Sequence, residues 1–409
     1  MKDLDVNFVR TQFPSFSVPE MEGKLFFDNA GGSYTAGAVI SRLNRFYTTR
    51  KVQPYAPYTA SRNGGDEMDE ARQRMALMLN IPKETLHFGP STSQNTYVLA
   101  NAFRKIRSKR DTIVVTNQDH EANSGAWRRL EEDGFKIREW KINTHNGGLS
   151  VSKLRKLLDE KVLLVAFPHC SNIIGEINPV KEICKVSRAA GAYTCVDGVS
   201  YVPHGFPDIS DCGADIYLFS SYKTYGPHLG IMYLSKRLNL ALPCQGHFFN
   251  SEFLTKRFTP AGPDHAQIAA SAGIVDYIES VYRFHFDETV PLSKATKEVS
   301  ALQRRHEKKL LIPLFEYLET KQNIEILGST LVENRVPTVS LNLSRPARPI
   351  AERLFRDGVM TDGGDFYAIR LLEAMGINVK YGVLRLSFVH YTTPSEIDRL
   401  IGALDKHMQ

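Results

Sequence analysis

The chain has 409 residues, 42% of them hydrophobic and 23% charged, with a formal net charge of +6. That is the composition of an ordinary globular protein with length for two domains, and it excludes a disordered or fibrous chain. The five cysteines (Cys170, Cys184, Cys195, Cys212 and Cys244) form no C-x-x-C pair. Their odd number argues against a disulfide framework or a zinc site and points to a reducing compartment.

No run of about eighteen apolar residues occurs, and Met1-Lys2-Asp3-Leu4-Asp5 is not a signal region. We expect a cytoplasmic protein with no membrane partner. The basic runs Arg104 to Arg110 and Arg304 to Lys309 read as solvated helix surface. No recognition motif accompanies them, so nucleic acid is not an expected partner.

Residues 1–20, with Pro14 and Pro19, read as an arm lying over another part of the protein. Lys24 to Asp28 is a short apolar strand that enters the turn Asp28-Asn29-Ala30-Gly31-Gly32-Ser33. Small side chains there suit the close approach of a ligand or backbone, and an ordinary loop reads equally well. A helix with Val39, Leu43 and Phe46 on one face follows. Pro54 to Gly65 is an aromatic, Pro- and Gly-rich loop long enough for function, and a helix over about Glu67 to Leu79 comes next. Ser91-Thr92-Ser93 opens a helix carrying Val98, Leu99, Ala102, Phe103 and Ile106. Its free N–H groups and positive dipole end suit a phosphate; plain N-capping explains the same residues.

From Asp111 strands and helices alternate. The expected strands are Thr112 to Thr116, Lys136 to Trp140, Val162 to Phe167, Tyr193 to Val196, Ile216 to Phe219 and Gly230 to Leu234. The expected helices between them are Gly125 to Asp133, Ser152 to Leu158 and Pro179 to Ala190. Continuous apolar strands between amphipathic helices predict a mainly parallel sheet covered on both faces. Ligands of such sheets sit at the carboxyl ends of the strands, where this chain places His120, Asn172, Asp197, Ser220 and Lys223. Asp197 suits a protonated pyridine nitrogen, or a cap or internal salt bridge. His120 suits stacking on an aromatic ligand, or a structural role. Desolvation between two buried strands would lower the pKa of Lys223 and make its amine nucleophilic; a solvated loop lysine is the commoner reading of such a residue taken alone. After Leu242 a helix from about His265 and a longer one, Ser293 to Leu318, lead to a second domain. Its strands are Val336 to Leu343 and Val383 to Phe388; its helices are Pro349 to Asp357 and Pro394 to His407, the last begun by a Thr393/Glu396 capping box.

Lysine, aspartate, histidine, amide and phosphate turn together describe a pyridoxal phosphate site. The stretches Phe27 to Ser33, Asp119 to Asn123, Ser171 to Gly175, Val196-Asp197-Gly198, Ser220 to Pro227 and Arg385-Leu386-Ser387 resemble the class V aminotransferase family of fold-type I pyridoxal phosphate enzymes, in its cysteine desulfurase-like group. The resemblance implies an α/β fold, with a large domain built on a mostly parallel seven-stranded sheet and a smaller α+β C-terminal domain. It divides the chain into an arm (1–20) packed on the small domain, a large domain (21–285) and a small domain (286–409), and it implies a homodimer. By the same resemblance Lys223 is the Schiff-base lysine, Asp197 the partner of the ring nitrogen, His120 the stacking residue and Asn172 the partner of the ring hydroxyl. Ser91, Thr92 and Ser220 correspond to phosphate ligands, with Ser200 and Tyr222 beside the cofactor. Arg385 corresponds to the arginine that binds the substrate carboxylate, with Asn29, Ala30 and Tyr367 on the substrate side.

The departures are specific. Relatives often carry His where this chain has Tyr222, Gln where it has Ser200 and Gly-Thr where it has Ala261-Gly262. Desulfurases place a nucleophilic cysteine shortly before the arginine, where Thr361 to Ala368 contains none. The resemblance therefore implies an enzyme acting at Cα of a small amino acid, first a C–S (β-elimination) lyase without a persulfide cysteine, then an aminotransferase, then an epimerase. Lys223, Asp197 and Arg385 speak against a non-enzymatic scaffold.

Overall fold

The computed structural model describes residues 2–106 and 109–408; Arg107 and Ser108 of the first basic run lie outside the described residues. Its strands in chain order are β1 (Leu25–Phe26), β2 (Leu86–Gly89), β3 (Thr112–Thr116), β4 (Lys136–Trp140), β5 (Val162–Pro168), β6 (Tyr193–Asp197), β7 (Ile216–Ser220), β8 (Gly230–Leu234), β9 (Glu325–Ile326), β10 (Thr338–Asn342), β11 (Val359–Met360), β12 (Asp362–Gly364) and β13 (Val383–Ser387). Seven strands form one sheet in the order β2-β8-β7-β6-β5-β3-β4. Only β8 runs antiparallel to its neighbours. A second, antiparallel sheet has the order β12-β13-β10-β9, and β1 pairs with β11 in parallel.

The large sheet is covered on both faces because its apolar runs are continuous while the side chains alternate. Ile113, Val115, Leu164, Ala166, Ile216 and Leu218 pack on one face with Leu99, Phe103 and Trp127. Their neighbours Val114, Val165, Phe167, Tyr217 and Phe219 pack on the other with Val39, Phe46, Met75, Ile183 and Ile274. Each such fully buried large side chain contributes about 1.5–3 kcal/mol. A separate cluster, including Leu311, Leu314, Val339, Leu384, Leu386 and Leu400, holds the C-terminal part together. The N-terminal segment reaches both clusters' neighbourhoods. Phe13 meets Tyr277 and Tyr391 edge-on at 5.1 and 5.0 Å, and Arg10 pairs with Glu396 at 3.0 Å.

Several boundaries differ from the sequence expectation. The helix expected from Glu67 begins at Thr59, so half of the expected Pro54 to Gly65 loop is helical. Gly64 and Gly65 are not breakers there: a Cβ on Gly65 would lie 2.6 Å from the Tyr55 ring. Glycine is required by that packing, which repays its low helix propensity. The helix expected from Gly125 begins at Glu121, capped by His120, and becomes a 3-10 turn at Arg129–Asp133. The helix expected over Ser152 to Leu158 spans Val151–Arg155. The single helix expected from His265 is two, His265–Ala270 and Ala272–His285. The Thr393/Glu396 capping box forms as expected.

Gly230, at the start of β8, lets two backbones meet. A Cβ there would clash with the Ser91 carbonyl carbon and lie 2.8 Å from the Thr92 nitrogen. Gly230→Ala is expected to lower stability by about 1–3 kcal/mol, read by urea unfolding. An unchanged midpoint and slope would show that the turn at Ser91 yields freely.

Candidate active site

The site lies at the carboxyl ends of β5, β6 and β7. Ser91, Thr92, His120, Asn172, Asp197, Ser200, Ser220, Tyr222 and Lys223 line a single cavity. Nine of the residues expected from sequence are thus brought together by strand ends and helix starts.

Lys223 closes the short turn Ser221–Lys223 after β7 and is buried. Ser221 fixes that turn: its N–H donates to the Leu229 carbonyl at 2.8 Å, and its carbonyl accepts from Thr224 and Gly226 at 2.8 and 2.9 Å. Burial pushes the Lys223 amine down to about 8; the Arg385 charge adds to this, and Asp197 and Asp28 oppose it. At pH 7 the neutral fraction is then about one in ten, against about one in three thousand for an ordinary lysine. Asp197 ends β6, and its Oδ1 accepts the Val199 N–H at 2.9 Å. Burial pushes this carboxylate up to about 6, against the Val199 N–H and the Lys223 charge. It is therefore ionised above about pH 6.

His120 caps the helix Glu121–Arg128, its Nδ1 accepting the Ala122 N–H at 3.0 Å. The proton of the neutral ring is thereby placed on Nε2. Burial, with the charges of Lys223 and Arg385, pushes its pKa down to about 4, so the ring is neutral at working pH. Ser91 caps the helix Thr92–Arg104 by accepting the Gln94 N–H, and the Thr92 and Ser220 hydroxyls meet at 2.8 Å. The first-turn N–H groups and two hydroxyls thus border one end of the cavity.

Pyridoxal phosphate fits these residues. The Asn172 amide donates to the Phe366 carbonyl at 2.9 Å, while its buried Oδ1 has no partner among the described residues. An unsatisfied buried acceptor is costly until a bound donor reaches it, and the ring hydroxyl is such a donor.

Four expected residues do not line the cavity. Arg385, on β13, is buried; its Nη2 pairs with Asp28 at 3.0 Å, and its Nη1 reaches the Asn172 carbonyl at 3.4 Å. The guanidinium lies 3.7 Å from the Phe366 ring, and its Nε has no partner among the described residues. Asn29 donates to the Tyr391 hydroxyl, and the Ala30 N–H to Ser387 Oγ at 2.9 Å, so both donors are engaged within the fold. Tyr367 is 71% exposed, its ring 5.3 Å from that of His120. Phe366 and Tyr367 both have positive φ, 50° and 59°. His228, Gln118 and Cys170 line the cavity unexpected from sequence. His228 stacks on Tyr222 at 4.9 Å, and its signal was its place in the same Tyr-Gly-Pro turn as the lysine.

The amine makes a prediction. Borohydride trapping of an aromatic aldehyde by the protein should rise with pH through about 8 and map to Lys223. Lys223→Ala should abolish it. A rise centred near the ordinary lysine value of 10.5 would show an unperturbed amine.

Comparison with known proteins finds relatives along nearly the whole chain. The aminotransferase class V family model matches residues 25–400. Aminotransferase-like protein FGM3 of Gibberella zeae is 33% identical over 410 residues, covering 97% of each chain. A cysteine desulfurase of Pectobacterium carotovorum is 28% identical, again covering 97% of each. Among solved structures, the apo cysteine desulfurase of Thermococcus onnurineus superposes with a TM-score of 0.84 at 22% identity, covering 99% of this chain and 98% of that one. The Escherichia coli cysteine desulfurase CsdA gives 0.81 at 20% identity, covering 99% of each. The chain belongs to the class V aminotransferase family and is a pyridoxal phosphate-dependent enzyme of fold type I.

Proposed function

We propose that this enzyme is a C–S lyase acting at Cα of a small amino acid, without a persulfide cysteine. Its net reaction takes a β-thio amino acid and water to a 2-oxo acid, ammonia and a thiol; the Cβ–S bond breaks and the sulfur leaves with a proton. Bound pyridoxal phosphate supplies an electron sink for the negative charge that develops at Cα. The chain does the rest. Lys223 Nζ binds the cofactor and, as a neutral amine, takes the Cα proton. The Asp197 carboxylate holds a proton on the pyridine nitrogen. His120 packs its neutral ring on the pyridine, Asn172 Oδ1 accepts the ring hydroxyl, and Ser91, Thr92 and Ser220 hold the phosphate. Ser200 and Tyr222 flank the ring. Arg385 takes the substrate carboxylate, beside Asn29, Ala30 and Tyr367.

One observation carries the lyase reading. The segment bordering Arg385 presents Phe366 and Tyr367, and no cysteine follows Cys244 in the chain. Cys170, which lines the cavity, is buried, and its thiol is pushed far up by that burial. It is a poor nucleophile. An aminotransferase is the second reading, favoured by the name of the 33%-identical relative.

The reading includes a cytoplasmic homodimer. The described cysteines are all free, and Phe248, Phe249 and Phe253 are exposed on one loop, as an interface would use them. It divides the chain at about residues 20 and 285.

Two results test it. With S-substituted cysteines the holoenzyme should release 2-oxo acid and ammonia without an amino acceptor, and Cys170→Ser should retain turnover. A strict need for an acceptor would establish the aminotransferase instead; inversion at Cα alone would establish an epimerase. Arg385→Lys should raise KM about 10–100-fold, because a point charge replaces a planar fork.

A further inference from the structure

Two residues beyond Lys223, Tyr225 is buried in the left-handed region of backbone space, at φ 69°. An L side chain enters that region against steric cost, so other contacts must hold it there. Its ring packs edge-on against Phe13 at 5.6 Å and His390 at 5.2 Å. Its hydroxyl donates to the Pro203 carbonyl and lies 3.2 Å from His390 Nδ1. On the far side of the imidazole, Nε2 lies 2.5 Å from the Tyr277 hydroxyl and 3.2 Å from the Gln303 amide nitrogen.

One arrangement of protons satisfies all these groups. Tyr277 O–H donates to the single lone pair of Nε2, the Gln303 amide donates to the Tyr277 oxygen, Nδ1–H donates to the Tyr225 oxygen, and Tyr225 O–H donates to Pro203. This requires a neutral His390. The ring is fully buried, and burial, with His306 and His204 nearby, keeps it from protonating.

The ends of the chain of bonds fall beside three parts of the site. Tyr225 belongs to the turn that carries Lys223. Pro203 lies in the turn that follows Asp197, where Tyr201 and Val202 donate back to the Gly198 carbonyl, each at 3.0 Å. His390 follows β13, the strand of Arg385. We propose that Tyr225 and His390 are positioning residues whose hydrogen-bonded chain holds the Lys223 turn, the Asp197 turn and the Arg385 strand at fixed spacing. The proposal rests on the reading of those three as cofactor and substrate residues.

The test uses the holoenzyme of wild type, Tyr225→Phe, His390→Leu, His390→Asn and Lys223→Ala. For each, the cofactor absorbance is titrated with pH, cofactor affinity and KM are measured, and the melting temperature is recorded. The absorbance midpoint reports the field of Asp197, Asp28 and Arg385 at Lys223. Tyr225→Phe and His390→Leu should each move it by about half a unit or more and raise KM. They should also weaken cofactor binding about tenfold, the effect of one hydrogen bond. His390→Asn, whose amide nitrogen takes the place of Nδ1 as donor, should return the midpoint to near the wild-type value. If Tyr225→Phe does not fold, the contrast between the two His390 variants decides. Unchanged midpoints and affinities beside a lowered melting temperature would overturn the proposal and leave a structural role. Wild-type absorbance in Lys223→Ala would instead overturn the lysine assignment, and the positioning proposal with it.

Discussion

Much of the site depends on one burden, a lysine amine taken out of water. Desolvation alone disfavours its charge, and the neighbouring Arg385 disfavours it further. Two carboxylates, Asp197 and Asp28, stand near enough to oppose this without forming an ion pair with the amine. The balance leaves about one amine in ten neutral at pH 7, far more than for a lysine in water. Most other features of the site bear on that balance. Burial and the charges of Lys223 and Arg385 keep the His120 ring uncharged, and the hydrogen bonds of Ser221 fix the turn that carries the amine.

The same logic explains why the site sits where it does. A parallel sheet buried on both faces has polar freedom only at its strand ends. The central strands β5, β6 and β7 alternate their apolar residues between two cores and leave the last residue, or the next few, to the cavity. Asp197 and Ser220 are the last residues of β6 and β7. The antiparallel β8 returns at once beside β7, and its glycine lets the Ser91 turn approach within backbone contact. The end of the cavity lined by Ser91, Thr92 and Ser220 is therefore built from strand ends and a helix start that only a missing Cβ brings together.

The central strands were legible in the sequence because burial on both faces writes them as unbroken apolar runs, and the polar residues after them were legible for the same reason. The start of the helix at Thr59 was not. Gly64 and Gly65 look like breakers in one dimension and are packing contacts in three. The two- and three-residue strands β9, β11 and β12 have too little pattern to detect, whereas β1 falls inside the short apolar strand expected over Lys24 to Asp28. The pairing of Arg385 with Asp28, across 357 residues of sequence, has no local signature. Nor has the His390 chain, in which every member reads singly as an ordinary core residue. The family resemblance located Arg385 but not its partner.

That partner has a consequence for recognition. A buried guanidinium without a counter-ion would be costly in the empty protein; Asp28 removes that cost by occupying part of the fork. On the proposed assignment of Arg385 to the substrate carboxylate, an arriving carboxylate would meet a rival already seated, tethered to the same chain and never diluted. Affinity for an amino acid at this position is then a difference between two carboxylates rather than the full strength of one ion pair. A free carboxylic acid with no other hold on the site competes poorly with such a resident. A substrate anchored at its amino group as well would not, so on that assignment the pair would act as a filter for molecules that carry both groups on one carbon.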